Sequence, residues 1–140
     1  MSDSGYIDGL VTMATVTSRG GSYSYARAMR FSRKKWKAQF SEICGIPEEQ
    51  LEFEKTGESA KDAFRWAFVE EDKRLEEDLF RLMRISLGDE EAVLRPVRPE
   101  ELLDAGSGYE DGWGPFYILE EVFLILYRKD AVLVMVGNNE

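Results

Sequence analysis

The chain contains no histidine, and that absence decides more about its chemistry than any residue it does contain. Without imidazole there is no Ser/His/Asp or Cys/His nucleophile system, no zinc site built on His and no imidazole proton shuttle. Any reaction would have to be run by carboxylates, Lys, Arg, Tyr, Ser/Thr or the single Cys44.

Several constellations remain. The segment Ser107–Tyr117 sets four aromatics and the acids Glu110 and Asp111 among glycines. Glycine lets backbone turn tightly and approach a ligand. Tyr109 and Trp113 are amphipathic anchors of the kind that dominate interfaces, with Phe116 beside them. The segment therefore reads as a partner or ligand loop, or as a plug in which Trp113 and Phe116 close one end of the core. The triplet Glu70-Glu71-Asp72 interrupts an apolar helical stripe between Phe68 and Leu75, so Glu71 or Asp72 is expected to face partly inward. A half-buried carboxylate can serve as acid or base, or it can pair with an Arg from another element, here Arg27. Arg27, Arg30, Arg33, Lys34, Lys35 and Lys37 surround Trp36, a pattern that could clamp phosphate and stack a base or could be a solvated face around a core Trp.

Three other patterns carry less. Glu48, Glu71, Asp72 and Lys73 mimic a magnesium nuclease set, yet Glu71 and Lys73 would lie ~200° apart around a helix. Gly20-Gly21 lacks the following Lys-Ser/Thr of a phosphate loop. Cys44 closes a helix at the negative end of its dipole, which raises a thiol pKa and suits a small core residue. No metal or cofactor is indicated.

The elements that must hold these groups follow from periodicity. Residues 10–18 are β-branched and end at Arg19-Gly20-Gly21, and Tyr23, Tyr25, Met29 and Phe31 fall mainly at a spacing of two. The pattern reads as a hairpin over 9–18 and 22–31. A helix over 23–31 stays open, because Tyr25, Met29, Trp36, Phe40 and Ile43 also fit a helical stripe. Ser32 reads as the N-cap of a helix ending at Gly45. Pro47 opens a possible turn, and 53–57 reads as a connector.

The long helix is the plainest prediction. It is capped at Ser59, striped by Phe64, Phe68, Leu75, Leu79 and Leu82/Met83, and ended by Gly88. Its outer face offers the pairs Glu70–Arg74, Arg74–Asp78, Lys73–Glu77 and Glu77–Arg81. After a short bridge, Pro99 starts a brief helix over 99–105. Residues 116–128 and 131–137 read as a hairpin turning at Lys129-Asp130, which pairs Tyr127 with Val132 and Ile125 with Val134. The expected fold is α+β: an antiparallel four-stranded sheet in the order β-β-α-α-β-β, with two main helices packed on it.

The bulk numbers frame this reading. At 140 residues one domain with a real core is expected across 1–140, apart from the first few residues, 1–8. No signal peptide or apolar span is visible, and one cysteine suits a reducing compartment, so the cytoplasm is expected. Net charge is −9. Residues 1–45 hold seven Lys/Arg against three Asp/Glu, while residues 46–140 hold eleven against twenty-four. An acidic chain disfavours nucleic acid as a partner over the whole surface.

The last hairpin is apolar on both faces, which an antiparallel sheet with one wetted face is not. Either helices straddle the sheet or a second copy covers it, and the sequence favours a homodimer. The functional expectation is a non-catalytic interaction or regulatory domain, binding itself or another protein. Two alternatives stand beside it. One is a carboxylate-dependent enzyme or small-ligand binder using Glu71/Asp72 or the Tyr109–Tyr117 loop. The other is an anion or nucleic-acid binder using Arg30, Arg33, Lys34 and Lys37.

Overall fold

A computed structural model describes residues 24–64, 73–108, 112–113 and 116–138. Its elements are β1 (Ser24–Ser32), α1 (Trp36–Cys44), a single 3-10 turn (Glu48–Gln50), β2 (Phe53–Lys55), α2 (Ala60–Ala63), α3 (Lys73–Leu87), β3 (Glu90–Pro96), α4 (Pro99–Gly106), β4 (Ile118–Tyr127) and β5 (Asp130–Asn138). The strands form one antiparallel sheet in the order β1-β5-β4-β3-β2.

The class is α+β, but among the described residues the sheet has five strands rather than four. The β-β-α-α-β-β order is corrected by two strands the periodicity concealed. β2 has only three residues, too few to show a period. β3 buries Val93 at 1% and Leu94 at 9% exposure on opposite faces, so its apolar residues are adjacent rather than alternating. Residues 24–32 are strand, not helix, and pair with β5 through Ala26↔Val136 and Ala28↔Val134. The proposed partner strand at 9–18 lies outside the described residues.

β4 and β5 sit at the centre and are buried on both faces. Phe123, Ile125 and Tyr127 share one core with Ala26, Ala28, Val132, Val134 and the helical residues Ala60, Ala63, Leu79 and Met83. Val122, Leu124 and Leu126 share the other with Leu133, Met135, Phe40 of α1 and Leu102 of α4. The helices therefore straddle the sheet, α2 and α3 on one side, α1 and α4 on the other. Each large side chain so buried contributes on the order of 1.5–3 kcal/mol. The sheet needs no second copy to cover it.

Ser59 caps α2 as its sequence suggests, its hydroxyl accepting from Asp62 N–H at 3.1 Å. Gly45 closes α1 at φ 73°, a left-handed conformation that glycine adopts freely. Ser32 is not a cap: it ends β1, its carbonyl accepts from Lys35 N–H at 3.1 Å, and α1 begins four residues later, at Trp36. The long helix is described as α2 and α3, and residues 65–72 between them lie outside the described residues. On α3, Arg81 pairs with Asp78 at 3.2 Å rather than with Glu77.

The last hairpin turns at Arg128-Lys129. Ile125 therefore faces Val132 and Leu126 faces Ala131, a two-residue offset from the expected pairing that leaves every side chain on its expected face. No helix among the described residues is long and apolar enough to cross a membrane.

One ion cluster ties the α2 approach to the sheet. Arg95 Nε donates to Glu58 Oε2 at 2.8 Å, its Nη1 lies 3.6 Å from Glu121 Oε1, and its guanidinium carbon rests 5.5 Å from the Phe123 ring centroid. The bonded guanidinium holds the Glu58 carboxyl below the usual glutamate range. A folded-state pKa below the unfolded one stabilises at pH values above the unfolded pKa, about 4.3, and that stabilisation is lost as pH falls through the folded value. Glu58→Gln is expected to cost under about 1 kcal/mol at neutral pH, the range of a half-exposed pair. Urea unfolding of wild type and variant should converge in acid; a gap that persists there would show that Glu58 acts by packing, not charge.

Candidate functional site

The glycine loop is held at its base. Ser107 Oγ donates to Leu103 O at 2.8 Å and accepts from Leu119 N–H at 2.9 Å. Gly108 N–H donates to Tyr117 O, and Tyr117 N–H donates to Asn138 O, both at 3.0 Å. These bonds fix the strand entering β4 against the end of α4 and the end of β5. Of the loop residues singled out from the sequence, Tyr109, Glu110 and Asp111 lie outside the described residues.

Phe116 and Trp113 take up the plug role. Phe116 is fully buried at 0%, so it offers no surface to a partner while the fold is intact. Its ring lies over Gly137, where a Cβ would come within 2.8 Å of the ring and run into the Ile118 carbonyl oxygen. Trp113 is half-buried, edge-on to Phe40 with centroids 5.2 Å apart at 82°. It also packs over Gly106, where a Cβ would lie 2.7 Å from the indole. Its indole nitrogen is buried without an acceptor among the described residues, although a buried indole usually finds one.

Beside this plug, Tyr117 and Ile118 stay 50% and 46% exposed. Sequence reasoning placed Tyr117 within the loop without giving it a role and passed over Ile118 as strand. Their exposure depends on which neighbour the strand turns inward, and Phe116 and Leu119 take the inward positions.

The opposite end of the sheet is concave. A cleft of about 470 Å³ opens between α2, α3 and the ends of β3 and β4, lined by Lys61, Phe80, Met83, Arg84, Glu90 and Tyr127 among others. Burial pushes the Tyr127 phenol above the ordinary tyrosine range, and the Glu90 carboxylate adds to the push. Glu90 in turn accepts from Ala60 N–H. A second concavity, about 570 Å³, lies between the α3–β3 and β4–β5 turns. Trp113 lines neither.

The basic run is divided. Arg30 pairs with Asp130 at 3.0 Å, and Arg33 pairs with Glu91 and donates to Tyr127 O at 3.0 Å. Trp36 packs edge-on to Phe53 at 5.3 Å, and Lys37 Nζ lies 5.9 Å from its centroid. Lys34 and Lys35 are exposed.

Arg27 sits opposite Met135, so strand alternation sets it on the α1 side of the sheet, away from α3. Its suggested partners Glu71 and Asp72 lie outside the described residues. Cys44 is half-buried against the α1-side core, and burial raises its thiol pKa.

No known protein family matches the chain, and neither a curated protein nor a solved structure matches it.

Gly137 tests the loop's base. Gly137→Ala forces a methyl against a carbonyl oxygen and a buried ring, an overpacking expected to cost about 1–3 kcal/mol. Urea unfolding gives the number, and an unchanged midpoint would mean that Phe116 is not seated as described.

Proposed function

We propose that this chain is a non-catalytic interaction domain that binds a different protein through the shoulder formed by Tyr117, Ile118 and the rim of Trp113, with Tyr109, Glu110 and Asp111 in the same loop. The supporting observation is that Tyr117 and Ile118 keep large apolar surfaces in solvent on backbone bonded at both Tyr117 N–H and Tyr117 O. A side chain presented on fixed backbone loses little freedom on binding, and aromatic anchors of this kind carry much of an interface's energy. The acids of the loop would favour a partner segment with basic residues.

Two considerations weigh against the other readings. General acid–base work at neutral pH asks for a carboxylate raised towards 7. Among the described residues Glu58 is instead lowered, while Cys44 and Tyr127 are raised, and Glu71, Asp72, Glu110 and Asp111, which that reading would use, lie outside the described residues. The homodimer was inferred from an uncovered sheet face, and α1, α4, α2 and α3 already cover both faces. Light scattering on a size-exclusion peak is therefore expected to give the mass of one chain at micromolar concentration.

The direct test is a double substitution, Tyr117→Ser with Ile118→Thr. Both positions are exposed, so thermal stability should hold within about 0.5 kcal/mol. Any protein that co-purifies stoichiometrically with wild type should be lost from the variant. A partner retained at equal occupancy by this folded variant would move the interface elsewhere.

A further inference from the structure

The cleft between α2, α3 and the ends of β3 and β4 holds a polar group that the fold itself does not use. Tyr127 is buried to 3% exposure and lines the cleft. Its backbone carbonyl accepts from Arg33, but its hydroxyl makes no hydrogen bond among the described residues. A buried phenol usually finds a partner, and one left unmet costs free energy. Glu90 stands opposite Tyr127 in the β3–β4 register, so the two side chains leave the same face of the sheet. One Glu90 carboxylate oxygen accepts from Ala60 N–H, and the other makes no bond among the described residues. A free donor and a free acceptor thus sit on neighbouring strands of one cleft.

The remaining lining is apolar inside and balanced at the rim. Ala60, Phe80 and Met83 belong to the α3-side core and also line the cleft. The charged side chains are Lys61, Arg81 and Arg84 against Glu77, Asp89 and Glu90, all of them exposed. Arg84 is already paired with Asp89, and Arg81 with Asp78, both at 3.2 Å.

We propose that this cleft binds a neutral aromatic molecule bearing a hydroxyl, which donates to Glu90 and accepts from Tyr127. A hydroxyl is the smallest group that does both at one atom. The ring packs against Phe80 and the polarisable thioether of Met83. The ligand is neutral because an ion would give up its hydration to meet as much repulsion as attraction. The volume of about 470 Å³ lies within the roughly 300–1,000 Å³ of small-molecule sites.

The cleft is independent of the aromatic shoulder. β4 enters at Ile118 and leaves at Tyr127, and ten strand residues span roughly 30 Å, so either site can fail without the other.

Isothermal titration of the full chain with 2-naphthol tests the assignment at pH 7, where a phenolic hydroxyl is protonated. Wild type should bind it saturably and one to one, with an affinity that added salt does not lower. Naphthalene, which lacks the hydroxyl, should bind more weakly. Tyr127→Phe should weaken 2-naphthol by about three- to ten-fold, the scale of one hydrogen bond, and erase much of its advantage over naphthalene. The variant's melting temperature without ligand should hold, because the hydroxyl has no partner to lose. If Tyr127→Phe does not fold, Glu90→Gln, whose amide oxygen still takes the Ala60 N–H, carries the same test. Equal binding by wild type and Tyr127→Phe would overturn the proposal, as would no binding by wild type. Tighter binding of 2-naphthalenesulfonate than of 2-naphthol would also overturn it, in favour of an anion at the rim.

Discussion

The central hairpin carries apolar side chains on both faces, and the rest of the fold answers that constraint. Phe123, Ile125 and Tyr127 cannot be solvated on one side while Val122, Leu124 and Leu126 are buried on the other. An apolar sheet face must be removed from water, and in antiparallel sheets one face is commonly left wet. Here the chain sends helices to both sides. α3 brings the stripe Leu79, Met83 and Leu87 to one face; α1 and α4 bring Phe40 and Leu102 to the other. The small residues Ala26, Ala28, Ala60 and Ala63 let strand and helix approach closely, and Phe64 fills the gap edge-on to Phe123 at 5.2 Å.

Where a local signal was strong, it was legible in the sequence. The Ser59 cap, the Gly45 terminator, the Pro99 helix start and the α3 stripe all depend on residues within a few positions of one another. The failures share a cause. β2 and β3 are specified by pairing partners about forty residues apart, such as Phe53↔Pro96, and Val93-Leu94 alternate only once the sheet is known. The double-sided hairpin was legible in the sequence, while the source of its cover was not. Its pattern says that both faces are covered, but not whether the cover comes from the same chain.

The candidate site was less legible for a related reason. Trp113, Phe116 and Tyr117 stood out by type, yet type does not say which aromatic of a glycine loop turns inward. That choice is made by Gly106 and Gly137, whose missing side chains leave room for Trp113 and Phe116, and Tyr117 is left outside by elimination. The basic run misled in the opposite direction. Arg30 and Arg33, its most prominent members, are neutralised by Asp130 and Glu91 from distant strands. Arg128, read as the end of a strand, and Lys129, read as a turn residue, form the β4–β5 turn beside Arg33, whose N–H donates to Lys129 O.

The uneven charge along the chain has a structural consequence that a net value hides. Within the described part of the basic N-terminal third, β1 is stitched into β5 along its full length, Arg30 meets Asp130 there, and Arg33 meets Glu91 of β3. Among the described residues the cations of two projecting turns, Lys34, Lys35, Arg128 and Lys129, make no salt bridge, since a residue in a projecting turn has no strand neighbour to supply an opposite charge. These four cations lie together at one end of the sheet, where Arg33 N–H meets Lys129 O. The exposed Tyr117 lies at the other, where the loop is bonded down by its backbone and cannot fold Tyr117 inward without displacing Phe116. In a sheet whose two faces are both occupied by helices, its two ends are left open, and these two ends differ in chemistry.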